Sequence, residues 1–373
     1  MKIAVLGCGL VGSAIVRDLA ASGHTVVCAD ADAERLESAD RFCASAKLVD
    51  LSAPSAVRAF VADSHMAVGA LPGFMGFLAV RAILETGRPV VDISFFPEDY
   101  RELDEVARSA GVTCLVDCGV APGLSNLVMG RAEARLDQVD SFRCLVGGLP
   151  VRRDPPWEYK APFSPLDVIE EYVRPARLRR SGEELALPAL SEPELVELPG
   201  VGMLEAFNTD GLRSLLVTSK ASNMVEKTLR YPGHRAKVEA LRDAGMFSVE
   251  PVVVGGEELV PRRVTEALLR ETWRLDDDEE ELTVMRVEIE GELGGRGWSR
   301  RWDLLDRRDP TTGVSSMART TGYTCTAMVG LVASGAWSTV GAFPPERVGA
   351  DRTCYDGVVT HLAERGIALR VTG

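Results

Sequence analysis

A short apolar run, Ile3-Ala4-Val5-Leu6, ends at Gly7-Cys8-Gly9-Leu10-Val11-Gly12, and a helical pattern begins at once. The run reads as a buried strand closed by a glycine turn. Ala14, Ile15, Leu19 and Ala20 fall on one helix face, Arg17 and Asp18 fall off it, and Gly23 ends the helix. A second apolar run, Thr25 to Ala29, stops at Asp30. Each part of this strand–turn–helix–strand has a physical task. Gly7 permits the tight turn, Gly9 lets backbone approach a pyrophosphate, and Gly12 lets the helix pack close to the sheet. The free N–H groups of Leu10, Val11 and Gly12, with the positive end of the helix dipole, attract phosphates. A carboxylate at Asp30 is placed to accept from the adenosine ribose hydroxyls and to repel a 2′-phosphate. Arg35 is the one counter-charge nearby. The stretch is therefore read as a dinucleotide site, with NAD favoured over NADP.

The same alternation continues. Lys47 to Asp50 reads as a third strand, Ser52 to Ala62 as a helix capped by Ser52, and Met66 to Pro72 as a fourth strand with its exit. Ligands lie beyond the carboxyl ends of strands in open parallel sheets, so Ala70, Leu71 and Pro72 are expected beside the cofactor. Phe77 to Thr86 (helix), Pro89 to Asp92 (strand), Pro97 to Ala110 (one long helix) and Val112 to Val116 (strand) complete the pattern. The last strand runs into Asp117-Cys118-Gly119-Val120-Ala121-Pro122-Gly123, with a helix from Leu124. Gly119 and Val120 join the expected cofactor contacts. Asp92 and Asp117 end strands, where aspartate serves as a turn or cap residue or as an acid/base group. Residues 1–125 are thus expected to form an α/β domain of the Rossmann kind, a doubly wound parallel sheet.

Beyond about Gln138 the pattern changes. Ser141 to Gly147 and Leu282 to Leu293 alternate like antiparallel strands, and Glu194 to Glu197 and Met203 to Phe207 read as short ones. Pro150, Pro155, Pro156, Pro162 and Pro165 crowd one stretch, followed by a helical Leu166 to Tyr172. Helical signals return at Arg235 to Ala244 and Val264 to Thr272. The acidic run Asp276 to Glu281 reads as a solvated loop. Residues 126–316 are expected to be a second α/β domain with a mainly antiparallel sheet. From Met317 an apolar stripe (Ala318, Thr321, Thr324, Cys325, Met328, Val329) suggests that 317–373 packs back on the first domain.

Net charge is −13, without a long basic block, so neither nucleic acid nor an anionic membrane is an expected partner. No apolar run approaches the roughly 18 residues of a membrane span. The N-terminus serves as the first strand, which argues against a signal peptide. The eight cysteines form no C-x-x-C pair and the four histidines have no zinc-ligand spacing. A reduced, metal-free, cytoplasmic protein is expected.

Several longer motifs are Val146-Gly147-Gly148-Leu149-Pro150-Val151, Pro155-Pro156-Trp157-Glu158-Tyr159, Glu205-Ala206-Phe207-Asn208-Thr209-Asp210-Gly211 and Lys227-Thr228-Leu229-Arg230-Tyr231-Pro232-Gly233-His234. With Asp117–Gly123, Met317–Thr324 and Phe343-Pro344-Pro345-Glu346, they resemble the saccharopine dehydrogenase-like superfamily, and within it the lysine 6-dehydrogenase branch. That resemblance implies oxidative deamination of the ε-amine of L-lysine with NAD, and a homo-oligomer. The product would be allysine, which cyclises, with ammonia and NADH. Saccharopine reductases typically carry an acid just before the Pro-Gly, where this chain has Ala121. A saccharopine reductase, another NAD(P)-linked amino-acid dehydrogenase and a non-catalytic NAD-binding sensor remain alternatives. Oxidising an amine needs a base, and His234, Asp117 and Asp92 are the titrating groups in these motifs. Arg230 is the candidate for a bidentate pair with the substrate carboxylate. Tyr159, Glu158, Asn208 and Thr228 are candidate substrate contacts, while Trp157 reads as packing.

Overall fold

The computed structural model describes residues 1–161, 165–276 and 279–373, so Pro162 and the Asp277-Asp278 part of the acidic run lie outside the described residues. In chain order the elements are β1 (Lys2–Leu6), α1 (Leu10–Ala21), β2 (Thr25–Asp30), α2 (Ala33–Asp40), β3 (Ser45–Leu48), α3 (Pro54–Val61), β4 (Met66–Gly69), α4 (Gly73–Leu84) and β5 (Val90–Asp92). A 3-10 turn at Tyr100–Leu103 leads to α5 (Asp104–Ala110), β6 (Thr113–Leu115), α6 (Leu124–Glu133) and β7 (Gln138–Pro150). Then come α7 (Pro165–Val173), β8 (Ala176–Arg180), β9 (Glu183–Leu187), β10 (Glu194–Leu198), β11 (Gly202–Asn208), α8 (Leu215–Thr218), β12 (Asn223–Arg230) and α9 (His234–Asp243). The rest is β13 (Val252–Val254), β14 (Glu257–Leu259), α10 (Pro261–Trp273), β15 (Glu281–Leu293), β16 (Arg296–Arg307), α11 (Ser316–Ser334), β17 (Gly341–Phe343), α12 (Pro345–Ala350), α13 (Arg352–Glu364) and β18 (Leu369–Thr372). They form two compact units, residues 1–135 with 318–368, and residues 136–317 with 369–373.

The first unit holds a parallel seven-stranded sheet in the order β17-β6-β5-β4-β1-β2-β3. Ile3, Val5 and Leu6 of β1 are fully buried, each contributing about 1.5–3 kcal/mol. The direction of winding reverses between β1 and β4, which is where a doubly wound sheet opens its ligand crevice. Three details differ from the sequence reading. Helix α3 starts at Pro54 with Ala53 as its cap residue, because Ser52 donates its N–H to Asp50 Oδ1 (2.9 Å) in a turn of its own. The expected Pro97–Ala110 helix is shorter, since Asp99 accepts from Arg101 N and opens the 3-10 turn instead. Helix α6 stays with this unit: Gly130 abuts the Glu346 backbone and Gly349 abuts that of Leu127, leaving no room for a side chain at the α6–α12 crossing. β17 adds the seventh strand beside β6.

The second unit is built on a mixed sheet, β10-β11-β12-β7-β15-β16-β18, with β8 and β9 attached beside β12. Only β12 and β7 run parallel among the neighbours of that path, so the sheet is mainly antiparallel, as expected. The last residues leave the first unit: β18 pairs with β16, Leu304 opposite Leu369. One core cluster gathers Val168, Ile169, Tyr172, Phe207, Val238, Leu269 and Trp273 from α7, α9, α10 and β11, with Tyr159 from the connection after β7. All eight cysteines are free thiols. No helix among the described residues is long and apolar enough to cross a membrane.

Candidate functional site

In the first unit the glycine turn has the geometry its spacing implies. Gly7 has φ +97°, and a Cβ there would sit 2.4 Å from Ala70 O. A Cβ on Gly12 would sit 2.0 Å from Gly7 O, whereas one on Gly9 would meet nothing within 4 Å. The turn therefore packs against its own backbone at Gly7 and Gly12 and is open at Gly9. Gly9 caps α1 without a side-chain hydrogen bond, which leaves the N–H groups of Leu10, Val11 and Gly12 to a ligand. Ala70, Leu71 and Pro72 are half-buried at the β4 exit, where Ala70 N donates to Leu6 O (2.9 Å). Asp30 has a task the sequence did not reveal. Its Oδ2 accepts from Cys8 N (2.7 Å) and its Oδ1 from Asp32 N (3.0 Å), so it braces the turn. Each carboxylate oxygen keeps a second lone pair for a ribose hydroxyl. Asp32 then caps α2 by accepting from Glu34 N (2.9 Å), and it neutralises Arg35 across 3.3 Å. The rim beyond β2 is acidic, with its nearest cation already paired.

The two strand-end aspartates differ. Asp92 is fully buried and accepts from Ser94 N (2.8 Å) at Oδ2 and from Ser94 Oγ (3.0 Å) at Oδ1. That is a turn carboxylate, which leaves little room for acid/base work. Asp117 is buried with φ +55°, a conformation that Asp tolerates better than most residues. Gly119 O and Val120 O accept from Leu124 N and Ser125 N, both at 2.9 Å, and fold the loop over the start of α6. Asn126 ties it down: Oδ1 accepts from Gly123 N (3.3 Å) and Nδ2 donates to Glu346 Oε2 (3.3 Å).

In the second unit, β12 carries Glu226, Thr228 and Arg230 on one face, because alternate residues of a strand share a side. Arg230 is 3 % exposed. Its Nε donates to Tyr172 Oη (3.2 Å), its Nη1 to Leu229 O (3.0 Å) and its Nη2 to Glu171 Oε2 (3.1 Å), with the Tyr159 ring centre 4.4 Å from the guanidinium. His234 opens α9 and is buried against the same group. Its Nδ1 lies 2.9 Å from Trp157 O, which only accepts, so Nδ1 carries the proton and Nε2 accepts from Tyr172 Oη (3.0 Å). The result is a directed chain from Arg230 through Tyr172 and His234 to the Trp157 carbonyl.

This arrangement bears on the expected substrate and acid/base roles. Arg230 already pairs with Glu171 and the two tyrosines, so a substrate carboxylate would have to displace them. Burial, with Arg230 adding to it, pushes His234 down from 6.5 to about 3, which argues against a base titrating in the neutral range. Asn208 does not join the group. It faces Lys227 across the β11–β12 ladder, on the other side of the sheet, and donates to Ser191 Oγ and Glu192 Oε2 (both 3.1 Å). Glu158 turns to Arg153 (2.6 Å). Thr228 does face the group, 2.8 Å from Thr209 Oγ1, which also donates to Glu226 Oε2 (2.7 Å). Tyr159 lies under Arg230, and Trp157 packs on the aromatic cluster. The sequence reading missed Glu171, Tyr172 and Glu226, although the apolar spacing of α7 places Tyr172 inward.

Two buried groups here oppose each other in pH. His234 binds a proton near 6.5 when unfolded and near 3 in the fold, so its contribution is complete above 6.5 and is lost as pH falls toward 3. Glu226 is pushed up to about 8 by burial from an ordinary 4.5. Its contribution is complete below 4.5 and is lost as pH rises through about 8. Glu226→Gln should therefore raise the melting temperature, relative to the parent, more at alkaline than at acid pH. His234→Gln should flatten the acid limb. Melting scans across pH check both, and a pH-independent offset would contradict the assignment.

The sheet order and open glycine turn define a pyridine-nucleotide-binding α/β protein. Residues 3–115 match the saccharopine dehydrogenase NADP binding domain and residues 119–367 the saccharopine dehydrogenase C-terminal domain. The chain belongs to the saccharopine dehydrogenase family. Among relatives, the saccharopine dehydrogenase [NADP(+), L-glutamate-forming] of Pyricularia oryzae is 24 % identical over 295 residues, 74 % of this chain and 65 % of that one. The Saccharomyces cerevisiae protein of the same name is 27 % identical over 268 residues, 66 % of this chain and 58 % of its own length. The matches thus span less than two thirds of either relative. The solved apo saccharopine dehydrogenase (L-Glu forming) of Saccharomyces cerevisiae has the same fold, with a TM-score of 0.80, 20 % identity, and coverage of 100 % of this chain and 99 % of that one.

Proposed function

We propose that this protein is an NAD-dependent dehydrogenase that oxidises the ε-amine of L-lysine to allysine, releasing ammonia, and that it works as a homo-oligomer. The observation that supports the cofactor part is the acidic rim at the end of β2: Asp30 and Asp32 would repel a 2′-phosphate, and the nearest cation, Arg35, pairs with Asp32. This supports NAD even though the relatives' names specify NADP. A nicotinamide cofactor bound here would supply the acceptor for a hydride from the carbon bearing the amine. The Gly9–Gly12 turn would hold its pyrophosphate and Asp30 its ribose. The amine must be neutral before it is oxidised. Asp117, buried where the first sheet's sixth strand gives way to the Gly119–Gly123 loop, is the proton acceptor in this reading. The lysine part rests on the motifs around Lys227–His234 and on Ala121 before the Pro-Gly. The relatives' names favour a second reading, oxidation of saccharopine.

A panel of lysine, cadaverine, saccharopine and glutamate, each with NAD and NADP, separates these readings through formation of reduced nicotinamide. Turnover is expected with lysine and NAD. Turnover with saccharopine alone would replace the substrate assignment, and binding without turnover would favour a sensor. Asp30→Ser should weaken NAD by about tenfold, as losing charge-assisted hydrogen bonds costs roughly 1.5 kcal/mol, and narrow the gap to NADP. A parent protein that prefers NADP would refute the ribose role of Asp30.

A further inference from the structure

Two thiols meet at the second strand. Cys28 on β2 has its Sγ 3.5 Å from the Sγ of Cys43, in the segment between α2 and β3. Cys8 occupies the glycine turn itself. Cys8 and Cys28 are buried, whereas Cys43 is half-buried and within a small oxidant's reach. We propose that Cys28 and Cys43 are a modification site, where a peroxide joins them in a disulfide that weakens dinucleotide binding.

The chemistry balances. Hydrogen peroxide transfers one oxygen to the Cys43 sulfur, giving a sulfenic acid and water. The Cys28 sulfur then attacks the Cys43 sulfur, the S–OH bond breaks, and a second water leaves with the Cys28 proton. The two thiols lose two electrons and the peroxide gains them. Burial, reinforced by Cys28, pushes the Cys43 thiol up to about 12, so the first step is slow at neutral pH and needs excess peroxide.

The coupling to the cofactor follows from the connections around the pair. Bonding requires the sulfurs to close to about 2.05 Å. Cys28 is fixed in the sheet, paired with Val5 on one side and Ala46 on the other, so the segment carrying Cys43 must move. That segment follows α2 directly and is tied to its end, with Phe42 N and Cys43 N donating to Ala39 O and Asp40 O. The start of α2 is Asp32, whose N–H is held by Asp30, and Asp30 in turn holds Cys8 N. A pull on α2 thus reaches the carboxylate that braces the turn.

The test treats the full chain with hydrogen peroxide and follows two readouts. Peptide mapping without reductant should show residues 28 and 43 joined and two of the eight thiols lost. NAD affinity should fall at least threefold, recover with dithiothreitol, and stay unchanged by peroxide in Cys43→Ser and in Cys28→Ser. Failure to crosslink, a crosslink through other cysteines, or complete crosslinking with unchanged affinity would each overturn the proposal. The choice of NAD as probe rests on the cofactor reading above. NADP titrated in parallel keeps the two apart: a reduced protein that binds only NADP refutes that reading, while the crosslink and its effect on NADP still decide this one.

Discussion

Gly12→Ala is expected to damage both fold and cofactor binding, whereas Gly9→Ala should damage cofactor binding alone. A methyl on Gly12 would lie 2.0 Å from Gly7 O and 2.9 Å from its carbonyl carbon. These are backbone atoms in a turn that Gly7 N anchors to Ala29 O (2.8 Å). Relief requires α1 to move off the sheet, and overpacking of this kind costs about 3 kcal/mol. In a unit of this size that lowers the melting temperature by roughly 5–10 °C. NAD affinity should fall by about 10²-fold or more, at 1.4 kcal/mol per decade. Gly9 is different. Its φ of −61° and ψ of −173° suit alanine, and nothing lies within 4 Å of an added Cβ. The melting temperature of Gly9→Ala should stay within about 2 °C of the parent, consistent with an exposed substitution. Its NAD affinity should nonetheless drop by about tenfold or more, because the methyl stands where the pyrophosphate approaches. Calorimetric melts and NAD titrations of the two variants decide the matter. A Gly9→Ala protein that binds NAD normally would move the phosphate site away from this turn.

The contrast also shows why the first unit was legible in the sequence and much of the second was not. Strands such as β1 and β4 are continuous apolar runs ending at glycine, because both faces of a parallel sheet are covered. Their order, turn and acid could be read directly. β17 and β18 were not legible. Each is only a few residues long and is defined by a partner far away in sequence, β6 and β16. β12 was hidden for a more instructive reason. Both its faces are buried, with Glu226, Thr228 and Arg230 on one and Lys227 and Leu229 on the other, so no apolar–polar alternation shows. The residues that give the strand its polar interior remove the pattern by which strands are found. The error over Asn208 has the same origin. Once β11 is laid antiparallel to β12, Asn208 falls opposite Lys227 and Phe207 opposite Thr228, which assigns them to different faces. Motif matching alone treats all residues of a motif as neighbours.

Arg230 is the place where the two levels of reading give opposed outcomes. As an anchor for a substrate carboxylate, it would supply remote binding energy that orients the substrate. Its loss would then reduce activity on lysine by about 10²-fold and leave cadaverine, which lacks the carboxylate, untouched. The structure instead spends the guanidinium on Glu171, Tyr172 and the Leu229 carbonyl, above the Tyr159 ring. Arg230→Ala should therefore act on the fold. It strips Tyr172 of its donor, leaves Glu171 without its partner and opens a void over the Tyr159 ring. Removing one member of a buried ion pair costs about 3–5 kcal/mol. The lower end applies here, because the Glu171 side chain is 31 % exposed and can draw water. A drop of roughly 5–10 °C in melting temperature follows, with lysine and cadaverine activities falling together. Arg230→Lys should lie between, since it keeps the charge beside Glu171 but loses the fork that reaches Tyr172. A double-mutant cycle with Glu171→Gln isolates the pair: if the arginine serves the fold, the two losses should be non-additive by about 1 kcal/mol or more. Additive losses, an unchanged melting temperature and a defect confined to lysine would restore the anchor role.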